Sequence, residues 1–131
     1  MNMNEYLSII EASIQNCFLM AAYQLKIDRK TQDMAFISGH IDFIDGSTLD
    51  FKEFVEKTDE EIEKYKYGYN YRKDDQVFFR YDNALDPGAR GLNSFPHHKH
   101  TQDGKMVASH AVSLEEVLAD ILQHILTTWE H

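Results

Sequence analysis

Two short stretches hold residue types that do chemistry at close spacing. FPHHKH, Phe95 to His100, sets His97, His98 and His100 around Lys99. FFRYDNA, Phe78 to Ala84, sets Arg80 and Asp82 two positions apart. Imidazole titrates near neutral pH, so it both takes and gives protons there. In an extended chain side chains alternate, which turns His98 and His100 to one side and His97 to the other. The same alternation groups Phe78, Arg80 and Asp82 on one strand face and Phe79 with Tyr81 on the opposite one. Brought together, these residues support two chemistries. In the first, His98 or His100 moves the 2′-hydroxyl proton of RNA and Asp82 orients a histidine. Arg80 and Lys99 then neutralise the charge that builds on the phosphate, and no cofactor is needed. In the second, Asp82, His98 and His100 hold a divalent metal for phosphotransfer or hydrolysis, since imidazole and carboxylate suit zinc, manganese or iron. No further His/Cys pair completes a structural zinc pattern. The plainer alternatives are an ion pair on a solvated face for Arg80 and Asp82, and ordinary loop hydrogen bonds for the histidines.

The elements that must position these residues are legible as periodicity. Leu7, Ile10, Ile14 and Cys17 fall at helical spacing and predict an N-terminal helix, with Asn4 as its cap. From about Leu19 to Asp82 the period is two. Ile37, Gly39, Ile41 and Phe43 alternate with polar neighbours, Asp45 to Ser47 reads as a tight turn, and Leu49, Phe51 and Val55 continue beyond it. The charged run Glu56 to Glu63 reads as a connection or irregular edge. Tyr65, Tyr67, Tyr69 and Tyr71 share one strand face, with Lys64, Lys66 and Arg72 on the other. These tyrosines suit a platform for stacked bases, but their strand propensity favours a half-buried face under a helix. Ser113 and Glu116 form a capping box, and Leu114, Val117, Leu118, Ile121, Leu122, Ile125, Leu126 and Trp129 follow as a helical stripe. Between strand and helix, residues 83–112 read as a long functional loop. Tight hairpins join antiparallel neighbours. The expectation is therefore one α+β domain over 1–131: an antiparallel sheet of about five strands in meander order, with an N-terminal helix and a C-terminal helix packed on the sheet.

The totals narrow the function. The formal net charge is -9, which opposes non-specific binding to phosphate backbones, so any nucleic-acid site has to be locally concentrated. The acidic excess also fits a non-enzymatic module that engages a basic partner. The single cysteine, Cys17, suits a reducing compartment. No signal segment opens the chain and no apolar run reaches membrane-spanning length, so a cytoplasmic protein with no membrane contact is expected. His40, His110, His124 and His131 are scattered and carry no assigned role.

FIDGSTLDFKEFV, YKYGYNY, FFRYDNA, FPHHKH with DGK soon after, and SLEEVLADI occur in an order that resembles the TumE family, toxins of type II toxin–antitoxin systems. The resemblance spans about Tyr6 to Ile125, and RYDNA and FPHHKH are its most specific parts. It implies a small toxin neutralised by contact with a cognate antitoxin that carries a DNA-binding helix-turn-helix. By position, Arg80, Tyr81, Asp82 and Asn83 match the first motif and Pro96 to His100 the second. His97, Tyr81 and Asn83 are thereby expected to contact substrate. The chain departs from the family pattern at one place: Leu85 to Asn93 reads LDPGARGLN, without the Pro-His residues that family members often carry after Asp-Asn-Ala.

Overall fold

A computed structural model describes residues 1–129; His131 lies outside the described residues. Helix α1 spans Met3–Gln15. Seven strands follow in one sheet: β1 Met20–Thr31, β2 Met34–Phe43, β3 Thr48–Lys57, β4 Ile62–Lys73, β5 Gln76–Asp82, β6 His98–Thr101 and β7 Met106–Ala108. Helix α2, Leu114–Thr128, closes the chain. Every strand pairs antiparallel with its sequence neighbour, so the sheet is a simple meander. The sheet is thus two strands wider than expected. Both extra strands come from 83–112, which is not one long loop: it holds a 3-10 turn at Pro87–Ala89 and then the β6–β7 hairpin. The run Glu56 to Glu63 is half strand: residues 58–61 form the connection between β3 and β4, and the residues on either side belong to those strands.

Local chemistry explains the boundaries. Asn2, not Asn4, caps α1: its side chain accepts from Glu5 N while Glu5 returns to Asn2 N, a complete capping box. Ser113 and Glu116 do the same for α2. Gly46 (φ 87°) makes the turn between β2 and β3, where Asp45 Oδ1 accepts from Ser47 N at 2.9 Å. Asp74 takes the left-handed conformation (φ 53°) in the β4–β5 turn, which aspartate tolerates better than most residues.

Both helices lie on one face of the sheet. Ile37, Ile41, Leu49, Val55, Tyr69 and Tyr71 of the sheet are buried with Ile14 of α1 and Val117, Ile121 and Ile125 of α2. Gly39 is needed at its position because a Cβ there would come within 2.2 Å of the Phe51 ring. The tyrosine ladder is core, as its strand propensity indicated, except for Tyr65. Leu126 and Trp129, part of the predicted stripe, remain exposed.

Two β-bulges redirect side chains. Phe54 pairs with Lys66 and Val55 with Lys64, which leaves Tyr65 as the extra residue on β4. Tyr65 turns to the helix-free face against Phe54, and Lys64 turns under the helices. On β5, Tyr71 pairs with Phe79 and Arg72 with Val77, so Phe78 is the extra residue. Phe78 packs on His124 of α2 and leaves the face that Arg80 and Asp82 share.

Candidate functional site

Strands β5 and β6 align Arg80 with His100 and Asp82 with His98. This register gathers the four side chains on the helix-free face. The chain closes around two of them: Asp82 is 7% exposed and His98 fully buried. His98 Nδ1 lies 2.8 Å from the Pro96 carbonyl and Nε2 lies 2.8 Å from Asp82 Oδ1. Each ring nitrogen of His98 thus faces an oxygen acceptor. Asp82 Oδ1 also accepts from Ala84 N at 3.0 Å, and Oδ2 accepts from Arg80 Nε at 3.0 Å. Arg80 then donates from its terminal nitrogen to His100 Nε2 at 3.2 Å. Guanidinium cannot accept, so His100 Nε2 presents its lone pair and carries its proton on Nδ1. His98 Nε2 lies 3.1 Å from the same atom. Burial, and next the Arg80 charge, hold the His100 pKa below its ordinary value, although Asp82 pulls the other way. The cluster therefore holds a neutral, partly exposed imidazole beside a cation, fixed from behind by a buried carboxylate–imidazole pair.

The donor atoms of Asp82, His98 and His100 all lie within 4.8 Å of one another, a set that suits a divalent metal. In this arrangement Arg80 is the cation that contacts two of those three groups. Arg80 and Asp82 also line an open depression of about 620 Å³ in the helix-free face.

A family model described as Toxin TumE matches residues 10–128. The chain belongs to the TumE toxin family. The match takes in the C-terminal part of α1, the whole sheet and α2, so the cluster lies within the TumE portion. No curated protein matches the chain, and no solved structure does.

Of the eight residues singled out from the sequence, this TumE chain brings four together. Lys99 is not among them. It alternates to the helix side, where its ammonium lies 4.9 Å from the Tyr81 ring centre and 3.8 Å from Asp120 Oδ2. Tyr81 is also on that side and donates its hydroxyl to Asp120; burial and that carboxylate raise its pKa. His97 stacks on Tyr67 at 5.8 Å with Nδ1 2.9 Å from the phenol, and burial, then Lys64, lower its pKa. Asn83 bonds Tyr67 N and the Tyr65 carbonyl, each at 3.0 Å, and so continues the strand pairing past the end of β5.

The helix side of this TumE sheet hides a second polar group. Glu53 is fully buried and accepts from the hydroxyls of Tyr6 and Tyr69, with Lys64 Nζ at 3.8 Å. Burial dominates the lowering of the Lys64 pKa, against the pull of Glu53. The signal for this residue was its phase: Glu53 falls in the inward series Leu49, Phe51, Val55.

Proposed function

We propose that this TumE protein is a toxin that cleaves RNA, with His100 as general base. The observation that carries the reading is the lone pair of His100 Nε2, held next to the half-exposed Arg80 guanidinium. A substrate phosphate draws Arg80 to itself and frees Nε2. The base takes the 2′-hydroxyl proton, and the 2′ oxygen attacks the adjacent phosphorus. The bond to the 5′ oxygen breaks, and that oxygen takes a proton from water. A 2′,3′-cyclic phosphate and a 5′-hydroxyl remain. Arg80 stabilises the added charge in the transition state. Asp82 and His98 are positioning residues: buried, they hold Arg80 and His100 in register. Lys99 has no part in this scheme, since it points to the helix side. A cognate antitoxin with a helix-turn-helix would neutralise the protein by direct contact, in keeping with the family.

The test is purified protein with single-stranded RNA. The expected outcome is cleavage with cyclic-phosphate ends, insensitive to chelator, and lowered by about 10²- to 10⁴-fold in His100→Ala. RNA left intact by the wild type refutes the reading. The second reading, a metal-dependent phosphotransfer or hydrolytic enzyme, rests on the convergence of Asp82, His98 and His100. Cleavage abolished by chelator and restored by zinc, manganese or iron selects it.

A further inference from the structure

Strands present alternate residues to each face, so the helix-free face of β2 to β5 is readable from the register. One row across the strands runs Ser38, Lys52, Gly68, Asp82 and His98. Gly68 contributes no side chain, and its place is the floor of the depression that Arg80 and Asp82 line. Five charged residues line this depression. Asp82 is bonded to Arg80, and Asp50 to Arg72 and His40. The other two, Lys52 and Lys66, have no ion-pair partner among the described residues. In a chain of net charge -9, two such lysines left unpaired in one hollow are a local concentration of positive charge. Ser38 and Asn70 line the same hollow, and their side chains make no hydrogen bond among the described residues.

Three rings adjoin the lysines. Phe36 and Phe54 stack with centres 4.4 Å apart, and Tyr65, turned outward by its bulge, lies 5.9 Å from Phe54. Lys66 pairs directly opposite Phe54. Single exposed rings are ordinary on a protein surface. Three contiguous rings beside two unpaired cations and free polar groups match what a single-stranded nucleic acid needs: a face for its bases and charge for its backbone.

We propose that this face binds single-stranded RNA, with a base on the Phe36, Phe54 and Tyr65 rings and a phosphate at Lys52 and Lys66. This rests on the cleavage reading for the position of the scissile phosphate, and it names the substrate of that site. Strands lie about 4.8 Å apart, so Lys52 stands roughly 10 Å, two strands, from Asp82. An RNA strand with its scissile phosphate at Arg80 and His100 therefore brings a neighbouring phosphate to the lysines. A duplex hides its base faces and cannot use the rings.

The experiment is a titration of full-length protein with a fluorescent 2′-O-methyl oligonucleotide, which lacks the attacking hydroxyl, at several salt concentrations. Lys52→Gln with Lys66→Gln should flatten the slope of log affinity against log salt by about 1.4. Tyr65→Ala should weaken binding about tenfold with the slope kept, and Tyr65→Phe should retain it. A matched duplex should bind more weakly than the single strand. An unchanged slope in the lysine variant, or equal binding of duplex and single strand, overturns the proposal. So does a free wild type that binds no oligonucleotide but loses a co-expressed antitoxin in these variants; the face is then a protein-docking surface. Oligonucleotide bound through these residues, with no cleavage of ordinary RNA, leaves the inference standing and removes the acid–base reading. Cleavage indifferent to the variants does the reverse.

Discussion

Asp82→Asn tests the buried pair on which the site depends. The wild-type carboxylate accepts from His98 Nε2 at 2.8 Å, Ala84 N at 3.0 Å and Arg80 Nε at 3.0 Å. Asparagine retains one oxygen, which still serves His98 and Ala84. Its amide, however, sets two donors against each other at Arg80, and the negative charge is gone. The Arg80 contact is half exposed and contributes about 0–1 kcal/mol. His98 is fully buried, so losing its charged acceptor costs about 1.5–3 kcal/mol. A total of about 1.5–4 kcal/mol corresponds to a melting temperature lower by about 6–16 °C at roughly 4 °C per kcal/mol. Thermal unfolding followed by circular dichroism at neutral pH reads this directly. His98→Gln removes the other partner, and in the double variant the two losses should fall short of their sum by about 1–2 kcal/mol, because each single change already removes the charge assistance of the shared bond. A melting temperature within about 2 °C of wild type, or strictly additive losses, refutes a charge-assisted Asp82–His98 bond.

The remaining predictions concern charge and side. His100 acts as base only when unprotonated and its pKa is lowered, so cleavage should hold as pH falls through about 6.5 and drop only below that. Arg80→Gln removes one cause of the lowering, so in the residual activity the acid limb should move up in pH; a limb that stays put contradicts the assigned base. Glu53→Ala leaves Lys64 without its carboxylate under the helices and should cost about 3–5 kcal/mol in urea unfolding; a loss under about 1 kcal/mol means that Lys64 escapes to water. Lys99→Gln should leave RNA cleavage unchanged, and a tenfold loss would contradict its orientation toward α2.

What the sequence reveals depends on how local each cause is. Alternation is a property of the strand itself, so the inward series Ile37, Gly39, Ile41, Phe43 and the outward pair His98, His100 were legible. The Asp45–Ser47 turn and the Ser113–Glu116 box were legible because each closes within four residues. Strands β6 and β7 were not, since four and three residues are too few to display a period; they become strands by pairing on β5. The bulges were hidden too. One extra residue on β4 reverses the phase of everything before it, which sent Lys64 under the helices and Tyr65 out. The misplacement of Lys99 is different in kind. The alternation that puts His98 and His100 on one side forces Lys99 to the other, and only its positive charge suggested otherwise.

The net charge of -9 first counted against nucleic acid, and the distribution of that charge changes its meaning. Glu5 and Glu11 on α1 and Glu115, Glu116 and Asp120 on α2 lie on the side that the open sheet face does not share, and of the acidic residues on the open face, Asp42, Asp50 and Asp82 are bonded to His40, Arg72 and Arg80. The open face around the depression keeps Lys52 and Lys66 unpaired, with Arg80 beside them. Three such cations on a single strand give a salt slope near about -2, far shallower than a surface that tracks many phosphates. Most of the affinity then has to come from the rings, and rings engage only bases that are already unstacked. On the proposed reading, an acidic body with a small hollow of cations and rings would be repelled by duplex DNA at long range yet hold exposed single-stranded segments at contact. Selectivity for such segments would then follow from where the charges and rings are, without base-specific hydrogen bonds.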